Sequence, residues 1–220
     1  MAQTSADRRT GRPKAQDAPV TLEQILDAAF RAFATYGYDG VAVRTLNREL
    51  GVSHNLIHQR FGSKEGLWYA AVDRAFGQQT TELATWFDPT LTDPLDQLNH
   101  AIRRFVQYNA EHPELLGLMN IEGRSNSGRL DYIYDNYIAT ALAPLGRLLE
   151  FLTTEGRIRP ISLQALFFLV AHGAAAPFTL APLARHFDDT DPLDPAWIAA
   201  HATLAADLIT SGLRLETPGH

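Results

Sequence analysis

The stretch Val41-Ala42-Val43-Arg44-Thr45-Leu46-Asn47-Arg48-Glu49-Leu50-Gly51-Val52-Ser53-His54-Asn55-Leu56-Ile57-His58-Gln59-Arg60-Phe61-Gly62-Ser63-Lys64 decides the fold. It carries two short helical patterns around a glycine. Leu46 and Leu50 lie one turn apart on the inner face of a helix that starts near Val43, and Gly51 breaks it. Val52-Ser53 then lead into a second helix, with Ser53 as the expected N-cap and Ile57 and Phe61 four apart on its inward side. Gly62 ends that helix and Ser63 caps the next, beginning at Lys64. Two short helices joined by a tight turn read as a helix-turn-helix. With Ile57 and Phe61 inward, His54, Asn55, His58 and Gln59 point outward. These are hydrogen-bonding side chains without net charge at neutral pH, suited to base edges or phosphates in a major groove. Lys64 adds a cation beside the free backbone N–H groups of a helix start, a natural phosphate clamp. Arg44, Thr45 and Ser53 complete the expected contact set on this segment.

Working outward, Thr21 caps a preceding helix whose apolar residues Leu22, Ile25, Leu26, Ala29, Phe30 and Phe33 recur at three and four, until Gly37 and Gly40 stop it. The helix from Lys64 is expected to reach about Trp86. Beyond it, Asp93-Pro94 and Asp194-Pro195 are helix starts of one kind, a capping carboxylate followed by proline at the first helical position. A helix from Pro94 must end before His112-Pro113, a short one covers Glu114 to Ile121, and a long one starts after the polar loop 123–128. Pro144 is expected to kink this long helix and Gly156 to close it. Ser162 caps a charge-free helix ending near Pro177. No alternating strand pattern occurs, so the chain is read as all-α. The expected division is a flexible basic arm over 1–18, a three-helix DNA-binding domain over 19–66, and a larger helical ligand-binding and dimerisation domain over 67–220.

The 220 residues are 45% hydrophobic and 20% charged, an ordinary globular balance that excludes disorder of the whole chain. The absence of cysteine excludes disulfides, thiolate zinc sites and a cysteine nucleophile. Residues 160–184 carry no formal charge, about the length of a bilayer span. Gln164, His172, Pro177 and Pro182 interrupt the stretch, which is therefore read as a helix buried in a core or interface, with no membrane partner. The net charge of −6 is split unevenly, +2 over residues 1–74 and −8 over the rest: a basic head on an acidic body. The start of the chain is polar and basic without the apolar run of a signal peptide, so a cytoplasmic location is expected.

The stretches Val41–Leu46, Gly51-Val52-Ser53 and Leu56–Leu67 resemble the DNA-binding domain of the TetR family of transcriptional regulators. Ala28-Ala29-Phe30 and Tyr36-Gly37-Tyr38 in the first helix fit the same pattern. The likeness covers about residues 22–70, and its most specific element is Phe61-Gly62-Ser63-Lys64-Glu65. It implies a homodimer that sets two recognition helices in successive major grooves of an operator, and a small-molecule effector in the body that releases DNA. Several positions depart from the family pattern. Ala42 stands where a threonine usually starts the second helix, Asn47 and Leu50 replace small residues, Asn55-Leu56 replaces a Gly-Thr pair, and His58 replaces a tyrosine. Base contacts are therefore not transferable from relatives.

In the basic segment before the first helix, Arg12 and Lys14 flank Pro13 as in arms that insert arginine into a narrow minor groove. Aromatic or polarizable residues on the later helices, Trp86, Phe105, Tyr108, Met119, Tyr134 and His172, with Glu122, are the expected ligand contacts. The alanine-rich stretches at about 162–176 and 196–213 are expected to pair across a two-fold axis, as the family's last two helices do. Neither a cofactor nor a metal site is expected. His54 and His58 lie four apart on one helix face but lack a nearby acidic third ligand. Gly123-Arg124-Ser125-Asn126-Ser127-Gly128 only approximates a nucleophile elbow and follows no strand, so an enzyme is disfavoured. A helical interaction module that has lost DNA binding remains the other alternative, because of Ala42 and Leu56.

Overall fold

The computed structural model describes residues 20–53, 55–82, 86–187 and 190–215. These residues are helical apart from turns and one antiparallel bridge between Ile158 and Arg214. Helix α1 (Leu22–Gly40) opens with a reciprocal cap: Thr21 Oγ1 accepts from Gln24 N–H at 3.2 Å, and Gln24 Oε1 accepts from Thr21 N–H at 2.9 Å. Ile25, Leu26, Ala29, Phe30 and Phe33 form its buried stripe. Gly37 interrupts the helix as expected, with a backbone that is not helical. The backbone bends there through φ 71°, which a residue without Cβ adopts at little cost, and one further turn runs to Gly40. The Tyr38 ring stacks on Phe33 with centroids 6.0 Å apart and anchors that turn.

Helices α2 (Val43–Glu49), α3 (Leu56–Phe61) and α4 (Lys64–Glu82) follow. α3 begins later than the expected Ser53 cap. Asn55 occupies the cap position without a side-chain bond, and the Ser53 carbonyl accepts from Leu56 N–H at 3.0 Å. Ser63 does cap α4, its Oγ accepting from Gly66 N–H at 3.0 Å. A Cβ at Gly66 would collide with the Phe61 carbonyl, so glycine permits the close approach of α4 to the end of α3. α4 is described to Glu82, residues 83–85 lie outside the described residues, and Trp86 is buried in a short turn.

In the body, Asp93 Oδ1 accepts from Leu95 N–H at 2.8 Å and starts α5 (Pro94–Glu111), and the His112-Pro113 junction turns the chain into α6 (Pro113–Glu122). Ser127 caps α7 (Gly128–Ile133), which widens into a π-helical turn at Tyr134–Ile138 before α8 (Ala139–Thr154). Pro144 sits inside α8, and the departure from α geometry lies upstream of it. Tyr132 and Tyr137 show why. Five residues apart, they would diverge by about 140° on an α-helix. Both nevertheless donate to Asp73 Oδ1 on α4, at 2.6 and 2.7 Å, and the wider turn aligns them.

Ser162 caps α9 (Leu163–Phe168), as expected, but the charge-free stretch is not one helix. It continues as a second π-helical segment (Leu169–Ala174), then α10 (Ala176–Thr179) and α11 (Ala181–Ala184), with Pro177 and Pro182 each placed in a first turn. α12 (Pro195–Leu213) starts where Asp194 Oδ1 accepts from Ala196 and Trp197 N–H. One core gathers α1 to α4 with parts of α5, α6 and α7 around Phe33, Ile57, Trp68 and Phe76. A second gathers α5, α8, α9 and α12 around Leu98, Val106, Leu152, Leu166 and Ala202. α6 bridges the two by lying against α1, with Ile121 beside Gly37 and Gly117 beside Ala34. Among the described residues, no helix is long and apolar enough to cross a membrane.

Candidate nucleic-acid interface

α2 is docked by two buried side chains, Leu46 and Asn47, and α3 by one, Ile57. Phe61 is half-buried against the same core. The turn closes through Gly51 N–H donating to Arg48 O at 3.1 Å and Val52 N–H to Asn47 O at 3.0 Å. This leaves Asn55, His58, Gln59 and Arg60 exposed along α3, and Arg44 and Ser53 exposed beside them, with Thr45 half-buried. Arg12, Lys14 and His54 lie outside the described residues. Arg48 and Arg60 are exposed on the same segment and were not among the expected contacts. The i, i+4 spacing of Arg44 and Arg48 was the available signal, since it sets both guanidinium groups on one side of α2. The chemistry of this face is two or three cations for phosphates around a centre of neutral amide and imidazole groups.

Lys64 is less free than a bare clamp. Its Nζ lies 4.6 Å from the Tyr38 ring centroid and 3.4 Å from the Asp39 carbonyl, so the ammonium is held over the end of α1. The Arg129 guanidinium also packs against Tyr38, 4.2 Å from its centroid, and reaches it from the body. Arg129 Nε lies 3.0 Å from Glu122 Oε1, and the Glu122 side chain is only 2% exposed, which makes this a buried carboxylate with one cation. Desolvation and the nearby Glu65 carboxylate push the Tyr38 hydroxyl above its ordinary pKa, so the ring stays neutral and electron-rich toward its two cations.

α4 is pinned on both sides by neighbouring residues. Arg74 Nε donates to Asp27 Oδ1 on α1 at 2.7 Å, and Asp73 accepts the two tyrosine hydroxyls of the body. The hydrogen bond to Asp73, with burial, pushes the Tyr132 hydroxyl up to about 12.

The expected ligand contacts do not converge on one place. Met119, Tyr134 and His172 line a cavity of about 600 Å³ among α6, α7, the first π turn, α8 and α9, together with Leu116, Leu142 and Phe167. Trp86 and Phe105 instead meet edge-to-face and wall a separate void of about 30 Å³. Tyr108 is buried against Trp86 and His112, and Glu122 is committed to Arg129. Asn120, Arg124 and Gln164, unforeseen from sequence, supply further polar groups to the large cavity. Among the described residues, no three His, Asp or Glu are disposed to hold a metal ion.

A family model described as bacterial regulatory proteins of the tetR family matches residues 25–71, and one described as a tetracyclin repressor-like C-terminal domain matches residues 94–209. The HTH-type transcriptional repressor NicS of Pseudomonas putida is 28% identical over 118 residues, 52% of this chain and 53% of that protein. The HTH-type transcriptional repressor AcnR of Corynebacterium efficiens is 46% identical over 55 residues, 24% of this chain and 29% of that protein. The alignments therefore span about half or less of these relatives. Among solved structures, the ketosteroid transcriptional regulator KstR2 of Mycobacterium tuberculosis superposes with a TM-score of 0.68 at 16% identity, over 88% of this chain and 94% of that one. PfmR from Thermus thermophilus gives 0.60 at 22%, over 87% and 100%. At such identities the superpositions concern the fold alone.

Proposed function

The chain belongs to the TetR family of bacterial regulatory proteins, and from that membership we propose that it is a DNA-binding transcriptional repressor, homodimeric and released from its operator by a small molecule. The observation that carries this reading is the construction of α3. One fully buried residue, Ile57, docks it, and every polar side chain described on it faces solvent. NicS and AcnR, similar over part of the chain, are both named as repressors, which favours repression over activation. Residues 19–66 form the reading head, with Arg44, Thr45, Ser53, His54, Asn55, His58, Gln59 and Lys64 facing DNA. Residues 67–220 form the body. Arg12 and Lys14 reach the flanking minor groove from the arm over 1–18.

The dimer forms through residues 162–176 and 196–213. Leu204 and Leu208 on α12 are 57% and 65% exposed, and Leu169 on the π-helical segment packed against α12 is 49% exposed, although Ala202, Ala206, Val170 and Ala171 on the same elements are buried. So many large apolar groups on adjacent elements call for a partner, and a second copy supplies the matching surface. The effector occupies the 600 Å³ cavity against Met119, Tyr134 and His172. Its wall includes the turn that carries Tyr137 to Asp73 on α4, so a ligand that reshapes the turn tilts α4 and the reading head with it. Two recognition helices must sit about one helical turn of DNA apart, ~34–36 Å, or a multiple of it. A ligand that favours another spacing lowers operator affinity by linkage. The protein works in the cytoplasm.

The test is binding of the full chain to the DNA upstream of its own gene at two salt concentrations, with wild type and an Arg44→Ala, His58→Ala variant. Tight, salt-sensitive binding to one palindromic fragment, lost in the variant, supports the reading. Weak binding indifferent to sequence and to the variant overturns it. Removing residues 1–15 should weaken binding and flatten its salt slope.

A further inference from the structure

The large body cavity has an unusual charge for this chain. The protein carries −6 overall, yet among the described residues no carboxylate lines the cavity, and the one permanently charged lining group is Arg124. Arg124 stands on the exposed turn after α6, and among the described residues no carboxylate lies within ion-pair distance of it. Glu122, only two residues away, is the obvious neutraliser, but it is turned inward and held by Arg129. The cavity is thus an apolar hollow, walled by Leu116, Met119, Ile138, Leu142 and Phe167, with one unneutralised guanidinium at its rim. Gln164 and His172 add neutral polar groups to the same lining.

Resting on the effector reading above, we infer that the cavity takes a small amphipathic carboxylate, its apolar body between α6 and α9 and its carboxylate on Arg124. A guanidinium presents paired N–H donors in the geometry of a carboxylate, which a neutral or cationic head group cannot accept in the same way. A single cation suits a monoanion. A phosphorylated ligand would leave charge uncompensated in a site that offers no second arginine or lysine. A cationic ligand would meet Arg124 with no carboxylate in the lining to offset it.

The experiment is calorimetric titration of the full chain with matched probes: decanoate, 1-decanol and decyltrimethylammonium below their aggregation limits, and 1-naphthylacetate beside its primary amide. The expected result is that a carboxylate binds at least tenfold more tightly than its neutral and cationic counterparts. Arg124→Gln, a change at an exposed turn, should remove that preference while the neutral probe's affinity stays the same. Equal affinities across charge types, no binding by either carboxylate, or an Arg124→Gln variant that keeps the preference would each overturn the inference. Operator binding followed in parallel by fluorescence anisotropy separates it from the release reading. Carboxylates that bind through Arg124 without loosening DNA would refute release and leave the ligand class standing. Release by neutral or cationic probes alone would do the reverse.

Discussion

Arg129, on the first turn of α7, sets its guanidinium 4.2 Å from the centroid of the Tyr38 ring at the end of α1. The contact joins the segment that carries the reading head to the body through a side chain that is also the cation of a buried carboxylate, Glu122. Three things are asked of one guanidinium: to neutralise Glu122, to cover an aromatic face, and to tie α7 to α1. Replacing it therefore has effects that can be told apart by experiment.

Arg129→Ala leaves Glu122 buried with Ser127 Oγ, at 3.5 Å, as a weak remaining partner. We expect a loss of about 2–3 kcal/mol in urea denaturation, below the full cost of an orphaned buried charge because Arg129 is itself partly exposed. Glu122→Gln in the same background should recover part of that loss. Purely additive effects of the two changes would refute the pairing.

On α3 the two faces should separate cleanly. Ile57→Ala removes a fully enclosed side chain and should cost about 3 kcal/mol of stability. His58→Ala changes an exposed group and should leave stability within about 0.5 kcal/mol. It should nevertheless weaken operator binding at least tenfold, read by anisotropy. Loss of stability in His58→Ala would mean that the helix is turned the other way.

The Asp73 cluster gives an alkaline signature. Tyr132 donates to Asp73 Oδ1 at 2.6 Å, and its hydroxyl is pushed up to about 12, above the ordinary tyrosine value near 10. A pKa raised in the folded state gives stability that is complete below the unfolded value and is lost as pH rises through the folded one. The melting-temperature advantage of wild type over Tyr132→Phe should therefore be constant up to about pH 10 and shrink between about pH 10 and 12. An advantage independent of pH across that window would show that the hydroxyl contributes packing rather than its bond to Asp73.

The reading head was legible because local signals there agree with the tertiary outcome. Thr21, Gly51, Gly62 and Ser63 act within one turn of where they stand, and Ile57 and Phe61 leave one inward side. The body was legible in its starts, at Asp93-Pro94, Ser162 and Asp194-Pro195, and much less so in its interiors. The π turn at Tyr134–Ile138 is set by two tyrosines reaching a carboxylate some sixty residues earlier, a cause that no local periodicity carries. The ligand residues scattered for a similar reason. Residue type alone does not separate an aromatic of a core from one of a hollow: Trp86 and Phe105 meet in a core, while the cavity draws on Arg124 and Gln164 from a loop and a cap-adjacent turn.

The proposed dimer surface gives the sharpest separation of fold from assembly. Leu204 and Leu208 are one turn apart on α12, both mostly exposed, while Ala202 and Ala206 on the other side of the helix are fully buried against the second core. A Leu204→Glu, Leu208→Glu double variant should therefore leave the single subunit's helical content and core intact, since exposed substitutions usually shift stability by less than about 0.5 kcal/mol each. Two like-charged pairs would then face each other across the two-fold axis, and sedimentation should show a monomer at concentrations where wild type is dimeric. Operator affinity should fall by on the order of 10² or more, because each recognition helix would bind without its tethered partner. A double variant that stays dimeric would move the pairing surface elsewhere. One that is monomeric yet binds the operator undiminished would mean that a single reading head suffices, and the spacing argument for effector release would fall with it.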